Sequence, residues 1–244
     1  MIIKLVRHGQ SQTNSGEVAH GSIGDYKVQL TPLGRSQATE AGQKLADSGF
    51  DFSNCLLYSS PYARAMQTMQ GLLIGAQVDV ADHRIYQDPR LREVDHGYSD
   101  VEEQDDMREE HGWFYYRFKG GESPADCYDR CCHFIESMMR QIIRKTPEDP
   151  DWHPLHELRT TNYGITDHRP NPLIVMHGLT MRCFVTRFMH MTVDEFETLA
   201  NPKNCDIVTI GHYDKLTDPQ FRNGKWGVGG LRFRNSKKDM SALV

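Results

Sequence analysis

The stretch Ile2-Ile3-Lys4-Leu5-Val6-Arg7-His8-Gly9 decides the fold that we predict for this chain. Its apolar, mostly branched side chains are typical of an interior strand, and Gly9 permits a tight turn directly after that strand. In open α/β sheets, ligands bind in the crevice beyond the carboxyl ends of the strands. We therefore expect Arg7 and His8, which stand at the end of this strand, to line a ligand site.

A second stretch repeats this pattern near the other end of the chain. Leu173-Ile174-Val175-Met176-His177-Gly178 is again an apolar run that stops at a histidine and a glycine. If the two runs form neighbouring parallel strands, His8 and His177 lie at the same edge of the sheet. The repeat therefore predicts that two imidazoles face one anion.

Strand and helix signals alternate after the first run. Thr31 and Pro32 are a cap and a first helical residue, which predicts a helix over residues 32–47. Cys55-Leu56-Leu57-Tyr58 then returns the chain to the sheet. Strand, helix and strand follow each other in the order that builds a right-handed parallel crossover, so the sequence predicts an α/β fold.

Further elements follow along the chain, and one of them carries a candidate anion-binding residue. They are a helix opened by Ser60 and Pro61, a strand at Val78–Val80, a helix from Ser123 to about Lys145, a helix over Leu179–Met191, a short helix opened by Thr192, and edge strands at Ile207–Ile210 and Leu231–Phe233. Arg64 lies in the first turn of the helix opened by Ser60. The free backbone N–H groups of a helix N-terminus favour anions, so this arginine is well placed to help bind one.

Length, charge and composition limit the possible functions. A chain of 244 residues and 28.0 kDa is long enough for one domain over 1–244 with insertions at about 98–122 and 146–172. The net charge of −5 and the absence of a basic run argue against a nucleic-acid partner. No secretion signal and no apolar run of membrane-spanning length is present, so we expect a cytoplasmic protein without a membrane partner. The sequence leaves open whether the protein forms a homo-oligomer.

The cysteine and histidine patterns do not indicate a metal site. The six cysteines show no paired metal-binding spacing, and we expect them to be reduced. His153 and His156 lie in the second insertion beside Glu157, but their spacing does not match a helical zinc pair with a third ligand. We therefore predict neither a metal nor another cofactor.

The strand ends and first helical turns together supply an anion pocket with a nucleophile and an acid. Its members are Arg7, His8, Asn14, Arg64, Glu93 and His177. Two forked guanidinium groups can bind phosphate oxygens bidentately, and an imidazole can donate to another oxygen. Phosphoryl transfer depends mainly on such positioning and charge stabilisation. Asp95 is a rival to Glu93 as the acid.

These motifs resemble the histidine phosphatase superfamily, whose members share the phosphoglycerate mutase-like fold. The resemblance rests on Arg7-His8-Gly9 with Ser11 and Asn14, on Arg64 after Ser-Ser-Pro, on Glu93, and on His177-Gly178. It implies a three-layer α/β sandwich with a mostly parallel central sheet and helices on both faces.

The resemblance also implies a set of roles. His8 becomes phosphorylated, Glu93 protonates the leaving oxygen, and no metal is required. The implied substrate-binding residues are Arg7, Ser11, Asn14, Arg64, His177, Gly178 and Leu179. A neutral imidazole is a competent nucleophile at physiological pH, which agrees with this assignment. The expected partner is a phosphorylated substrate, in the first place a small molecule.

Three functions remain open on the sequence. The family's cofactor-dependent mutases show Glu-Arg-His-Tyr-Gly at the acid, whereas this chain has Glu93-Val94-Asp95-His96-Gly97. They also have Asn where this chain has Leu179, and Gly120-Gly121-Glu122-Ser123 resembles the phosphatase branch. The sequence therefore favours a metal-independent phosphomonoesterase over a phosphoglycerate mutase. A non-catalytic member that only binds phospholigands is the third hypothesis.

Overall fold

The structure is a computed structural model, and it describes residues 1–19, 21–97, 104–144 and 169–234. The strands in these ranges are β1 (Ile3–Arg7), β2 (Cys55–Ser59), β3 (Ile85–Gln87), β4 (Asn171–Met176), β5 (Leu199–Ala200), β6 (Ile207–His212), β7 (Phe221–Asn223), β8 (Trp226–Gly229) and β9 (Arg232–Phe233). The α-helices are α1 (Pro32–Asp47), α2 (Ala63–Gly75), α3 (Asp105–His111), α4 (Pro124–Arg144), α5 (Gly178–Met189) and α6 (Val193–Thr198). Within the same ranges, no helix is both long and apolar enough to cross a bilayer.

The central sheet contains seven of these strands in the order β3-β2-β4-β1-β6-β8-β7. Strands β3, β2, β4 and β1 are parallel to one another. Strand β6 pairs antiparallel with both β1 and β8, and β7 pairs antiparallel with β8. Because β8 is antiparallel to β6, it points the same way as β1, and only β6 and β7 run in the opposite direction. The predicted mostly parallel sheet is confirmed.

Helices cover both faces of this sheet, as the alternating side chains of β4 illustrate. Leu173 and Val175 belong to a buried cluster formed with α1 and α2. Ile174 and Met176 belong to the cluster on the other face, formed with α4 and α5. Since successive strand residues point to opposite faces, one strand contributes to both cores. The three-layer α/β sandwich is therefore confirmed.

Glycines let α1 and α2 approach until their backbones touch. A Cβ added to Gly42 would lie 2.0 Å from the carbonyl oxygen of Leu72, and one added to Gly75 would lie 1.9 Å from that of Thr39. Neither separation is possible for a real side chain, so only glycine fits at this crossing. The contact fixes the position of α2, whose first turn carries Arg64.

Several local predictions are confirmed in detail. Helix α1 spans the predicted residues 32–47, and the Thr31 hydroxyl accepts a hydrogen bond from the Gly34 N–H at 3.0 Å. The short helix predicted to open at Thr192 is α6, and Thr192 and Glu195 form a capping box at its start. Each cap joins residues three positions apart, which is why sequence alone locates them.

Other local predictions are wrong, each for a local reason. Val78–Val80 is not a strand, because the Asp79 carboxylate accepts from the Ala81 N–H at 2.9 Å and a 3-10 helix follows. The helix that carries Arg64 begins at Ala63, two residues later than Pro61.

The predicted late edge strands also need correction. Strand β6, which includes Ile207–Ile210, lies between β1 and β8 and is therefore an interior strand of the sheet. Strand β9, at Arg232–Phe233, pairs with β5 in a separate two-stranded sheet.

The two predicted insertions are described only in part, since residues 98–103 and 146–168 lie outside the described ranges. The aromatic half of the first insertion is described. Trp113, Phe114 and Phe118 are buried in the core cluster that also contains α4 and α5. These three rings therefore stabilise the core.

Candidate active site

The two predicted histidines meet at one edge of the sheet. Strands β1 and β4 are parallel neighbours with Arg7 opposite Met176, so His8 and His177 leave the sheet side by side. Their ring centroids are 5.1 Å apart, and the ring planes make an angle of 61°. Both residues are buried, with 4% and 0% of their surface exposed.

The proton on His8 is placed by the following residue. Its Nδ1 lies 2.8 Å from the carbonyl oxygen of Gly9. A carbonyl oxygen can only accept, so Nδ1 carries the proton and the neutral ring keeps the lone pair on Nε2. His8 is therefore oriented as a nucleophile through Nε2.

The position of the proton on His177 depends on Ser60. Its Nε2 lies 2.8 Å from the hydroxyl oxygen of Ser60. Its Nδ1 is buried and has no hydrogen-bond partner in the part of the chain that the structure describes. If Ser60 donates to Nε2, Nδ1 carries a proton that an anion beside His8 would accept. A buried polar atom without a partner needs an explanation, and an anion bound beside His8 would supply one for this nitrogen.

Arg7 adds a cation beside the histidines. Its Nη1 donates to the carbonyl oxygen of Pro202 at 2.6 Å, while its Nε is buried without a partner among the described residues. A Cβ added to Gly178 would lie 3.4 Å from this Nε, so the glycine leaves the guanidinium close to the start of α5. Arg7 is thus anchored at one nitrogen and keeps another donor for a ligand.

Arg64 is held by a residue that the sequence analysis did not single out. Its Nη1 donates to the carbonyl oxygen of Asp25 at 2.7 Å and to the carboxylate at 2.8 Å, and its Nη2 donates to the other carboxylate oxygen at 3.0 Å. A guanidinium has five N–H groups, so Nε–H and one Nη2–H remain. These two hydrogens lie on one edge of the fork, which matches two phosphate oxygens. Asp25 therefore leaves one binding edge of Arg64 available.

Replacing Asp25 with alanine should weaken phosphate binding. Hydrogen bonds to charged groups contribute about 1.5–3 kcal/mol, so loss of this anchor should raise KM for a phosphomonoester by about tenfold. Steady-state kinetics and inhibition by inorganic phosphate measure the effect. Glu17→Ala is the control, because it removes an exposed carboxylate from the same loop. Tighter phosphate binding in Asp25→Ala would instead mean that Asp25 competes with the substrate.

The two candidate acids lie in different surroundings. The Glu93 carboxylate lies at the start of α5, where its Oε1 accepts from the Thr180 N–H at 3.1 Å and its Oε2 from the Leu179 N–H at 3.4 Å. The exposed Asp95 carboxylate accepts from the Gly97 N–H at 2.8 Å, two residues along the chain. Glu93 is thus bonded to the helix that follows His177, whereas Asp95 forms a local turn.

The remaining predicted binding residues flank the histidines. Asn14 and Ser11 bond each other, and the Asn14 Oδ1 also accepts from Asn204 Nδ2 at 3.2 Å. The same Asn204 nitrogen donates to the carbonyl oxygen of His8 at 3.1 Å. Leu179 gives its N–H to Glu93 and buries its side chain in the core, so it contributes to the site through its backbone.

Several residues that support the site escaped the sequence analysis. Ser60 was recognised only as a helix cap, yet it bonds His177. The Thr68 hydroxyl accepts from the Gly9 N–H at 3.0 Å and donates to the Arg64 carbonyl at 2.7 Å, which ties α2 to the His8 turn. Asp25 and Asn204 reach the site from distant parts of the chain. None of these residues forms a motif that sequence alone would reveal.

Burial and positive charge set the protonation of both histidines. Burial lowers the pKa of His8 well below its usual value of 6.5, and the guanidinium charges of Arg64 and Arg7 lower it further. Burial also lowers the pKa of His177, again helped by Arg64. Both imidazoles are therefore neutral near pH 7, which keeps the lone pair of His8 available.

This protonation predicts that acid destabilises the fold. Below pH 6.5 His8 and His177 become protonated in the unfolded chain but stay neutral in the folded state. The free energy of unfolding therefore falls as pH falls. Between pH 7 and 5.5 the expected loss is about 1 kcal/mol for each imidazole. Urea unfolding across this range measures it. Imidazole NMR signals of the folded protein that titrate near pH 6.5 at these two positions would contradict the prediction.

The structure also shows the state of the cysteines and the arrangement of potential metal ligands. All six cysteines are free thiols, and Cys127 and Cys131 of α4 are buried in the same cluster as Cys183 of α5. Across the described residues, no group of three or more His, Cys, Asp or Glu side chains could hold a metal ion.

Comparison with known proteins identifies the family. The sequence model of the histidine phosphatase superfamily (branch 1) matches residues 3–148. The chain belongs to this superfamily. The resemblance to this superfamily that the sequence motifs indicated is thereby confirmed.

Curated relatives in the superfamily carry both mutase and phosphatase names. The chain is 38% identical to the phosphoglycerate mutase-like protein AT74H of Arabidopsis thaliana, over 84% of this chain and 72% of that protein. It is 23% identical to the broad-range acid phosphatase DET1 of Saccharomyces cerevisiae, over 86% of this chain and 84% of that protein. These relatives support a phosphatase or mutase and do not specify one reaction.

Solved structures support the fold. The mycobacterial glucosyl-3-phosphoglycerate phosphatase superposes with a TM-score of 0.61 at 23% identity, covering 87% of this chain and 91% of that chain. At this level of identity the similarity concerns the fold alone.

Proposed function

We propose that this protein is a metal-independent phosphomonoesterase that acts through a phosphohistidine on His8. The observation that carries the proposal is the set of unused donors around this ring. His177 Nδ1 and Arg7 Nε are buried without partners among the described residues, and Arg64 keeps one edge of its guanidinium. A phosphoryl group beside His8 Nε2 would satisfy all three. Fixed donors of this kind stabilise the charge on the equatorial oxygens during phosphoryl transfer.

The reaction then has two steps. In the first, His8 Nε2 attacks phosphorus, the bond to the leaving oxygen breaks, and Glu93 gives its proton to that oxygen. In the second, the Glu93 carboxylate takes a proton from water, the water oxygen attacks phosphorus, and the phosphorus–nitrogen bond breaks. At the end of the cycle His8 again has a lone pair on Nε2, and Glu93 again carries its proton. Splitting one displacement in this way makes each step easier.

The sequence supports hydrolysis over the isomerisation of phosphoglycerate. Leu179 stands where the family's mutases have asparagine, and its side chain is in the core. A mutase must hold a bisphosphorylated intermediate and let it reorient, whereas a phosphatase releases product and admits water. The mutase remains the second candidate, because the 38% identical relative is called phosphoglycerate mutase-like. We propose a small phosphorylated molecule as the substrate.

A phosphoenzyme trap tests this function. The protein is incubated with a radiolabelled phosphomonoester in the presence of EDTA, and the reaction is quenched in base, which preserves phosphohistidine. We expect acid-labile label on His8 and steady release of inorganic phosphate. Isomerisation of 3-phosphoglycerate with 2,3-bisphosphoglycerate faster than phosphate release would favour the mutase. Tight phosphate binding with neither release nor label would favour a binding protein.

A further inference from the structure

The two oxygens of Glu93 are bonded very unequally. Oε1 accepts from the Val94 N–H at 3.0 Å, the Thr180 N–H at 3.1 Å and the Thr180 hydroxyl at 3.0 Å. Oε2 accepts only from the Leu179 N–H, at 3.4 Å, among the described residues. An oxygen that already receives three donors has little lone-pair density left for a proton. The proton that Glu93 transfers therefore resides on Oε2.

The Thr180 hydroxyl has a choice of acceptors. Its oxygen lies 2.7 Å from the carbonyl oxygen of Arg92 and 3.0 Å from Glu93 Oε1, and it has one proton to share. While Glu93 is a neutral acid, the carbonyl of Arg92 is the better acceptor. Once Oε2 has lost its proton, the carboxylate becomes the stronger acceptor, because hydrogen bonds to ionised groups are about twice as strong as neutral ones.

The hydroxyl bond to Glu93 thus strengthens as negative charge develops. Thr180 is 0% exposed, so water does not compete for the carboxylate at this position. An interaction that is stronger after proton transfer than before it accelerates the transfer. A donor that bonded equally strongly to the protonated and the ionised form of Glu93 would stabilise the fold without accelerating the proton transfer.

We propose that Thr180 is a positioning residue for the general acid. It holds Glu93 through Oε1, directs Oε2 to the leaving oxygen, and stabilises the carboxylate that forms when the Oε2–H bond breaks and the leaving oxygen gains that proton. This proposal rests on the proposed role of Glu93. It assigns to Thr180 a function that no motif in the sequence indicates.

Leaving groups of different basicity test the proposal. In Thr180→Val, kcat/KM for an alkyl phosphate should fall by about 10- to 100-fold, because this leaving oxygen needs the proton. The leaving group of 2,4-dinitrophenyl phosphate departs without protonation, so kcat/KM for this substrate should fall by less than about threefold. Thr180→Ser keeps the hydroxyl and should restore activity on the alkyl substrate.

Thr186 offers a matched control on the same helix. It is a buried threonine whose hydroxyl has no hydrogen-bond partner among the described residues. Thr186→Val should leave both substrates unaffected. Equal losses on both substrates in Thr180→Val, or no loss on either, would overturn the proposal.

A second measurement does not require turnover. In Thr180→Val the ¹³C chemical shift of the Glu93 carboxyl, recorded at one fixed pH, should differ from that of the parent protein because the hydroxyl bond to Oε1 is lost, and Thr180→Ser should restore it. An unchanged chemical shift would also overturn the role of Thr180. Failure of the proposed function is distinct, because the parent protein would then form no phosphohistidine while this NMR comparison still reports on Thr180.

Discussion

Replacing His8 with asparagine is expected to lower turnover of phosphomonoesters by about a thousandfold or more, since removal of a covalent nucleophile is among the largest single losses in enzymes. Asparagine can keep a donor near the Gly9 carbonyl, which His8 Nδ1 contacts at 2.8 Å, but it has no group equivalent to Nε2. The variant should therefore fold, bind inorganic phosphate and form no phosphoenzyme.

The control for this experiment is another histidine. His133 lies exposed on α4 and is not one of the residues of the candidate site, so His133→Asn should retain full activity. Phosphate release and alkaline-quenched labelling are measured in all three proteins. Undiminished turnover in His8→Asn would remove His8 from the mechanism, even if the protein is a phosphatase.

Replacing Glu93 with glutamine should lower kcat/KM by about 10²- to 10⁴-fold for substrates with basic leaving groups, which is the usual contribution of a general acid. Glutamine has nearly the same shape, and its Oε1 can still accept from the Thr180 N–H. Its Nε2 cannot accept from the Leu179 N–H, but that bond is the longer of the two, at 3.4 Å, so the site should remain assembled. The loss should shrink for 2,4-dinitrophenyl phosphate. Phosphoenzyme formed from this substrate should accumulate, because water then lacks a base.

Asp95 is the natural comparison, because sequence alone left it as a rival acid. Asp95→Asn keeps the local acceptor for the Gly97 N–H and removes only the charge. We expect less than about a threefold change in kcat/KM for either substrate. A larger loss in Asp95→Asn than in Glu93→Gln would reverse the assignment of the acid.

The sequence predicted those parts of the fold that short patterns encode. The apolar runs before His8 and His177 became neighbouring strands, and the caps at Thr31 and Thr192 formed as expected. Strand β3 escaped prediction because it has only three residues and too little periodicity to recognise. Strand β8 includes two glycines in four residues, which weakens the strand signal.

The supporting residues of the candidate site were beyond sequence analysis for a different reason. Asp25 bonds Arg64 across 39 positions, and Asn204 bonds His8 across 196. Aspartate and asparagine are common in loops, so nothing local distinguishes these two from other turn residues. Their roles follow from tertiary contacts, which a single sequence does not display.

The backbone at His8 and at Ser60 continues the hydrogen-bond ladder of the central sheet. The His8 N–H donates to the Met176 carbonyl at 3.0 Å, and the Ser60 N–H donates to the Val175 carbonyl at 3.0 Å. Breaking these bonds means pulling apart the innermost strands, so they belong to the last cooperative unit to open. Amide hydrogen exchange at His8 and Ser60 should therefore proceed only through global unfolding, and heat inactivation should coincide with melting of the whole domain.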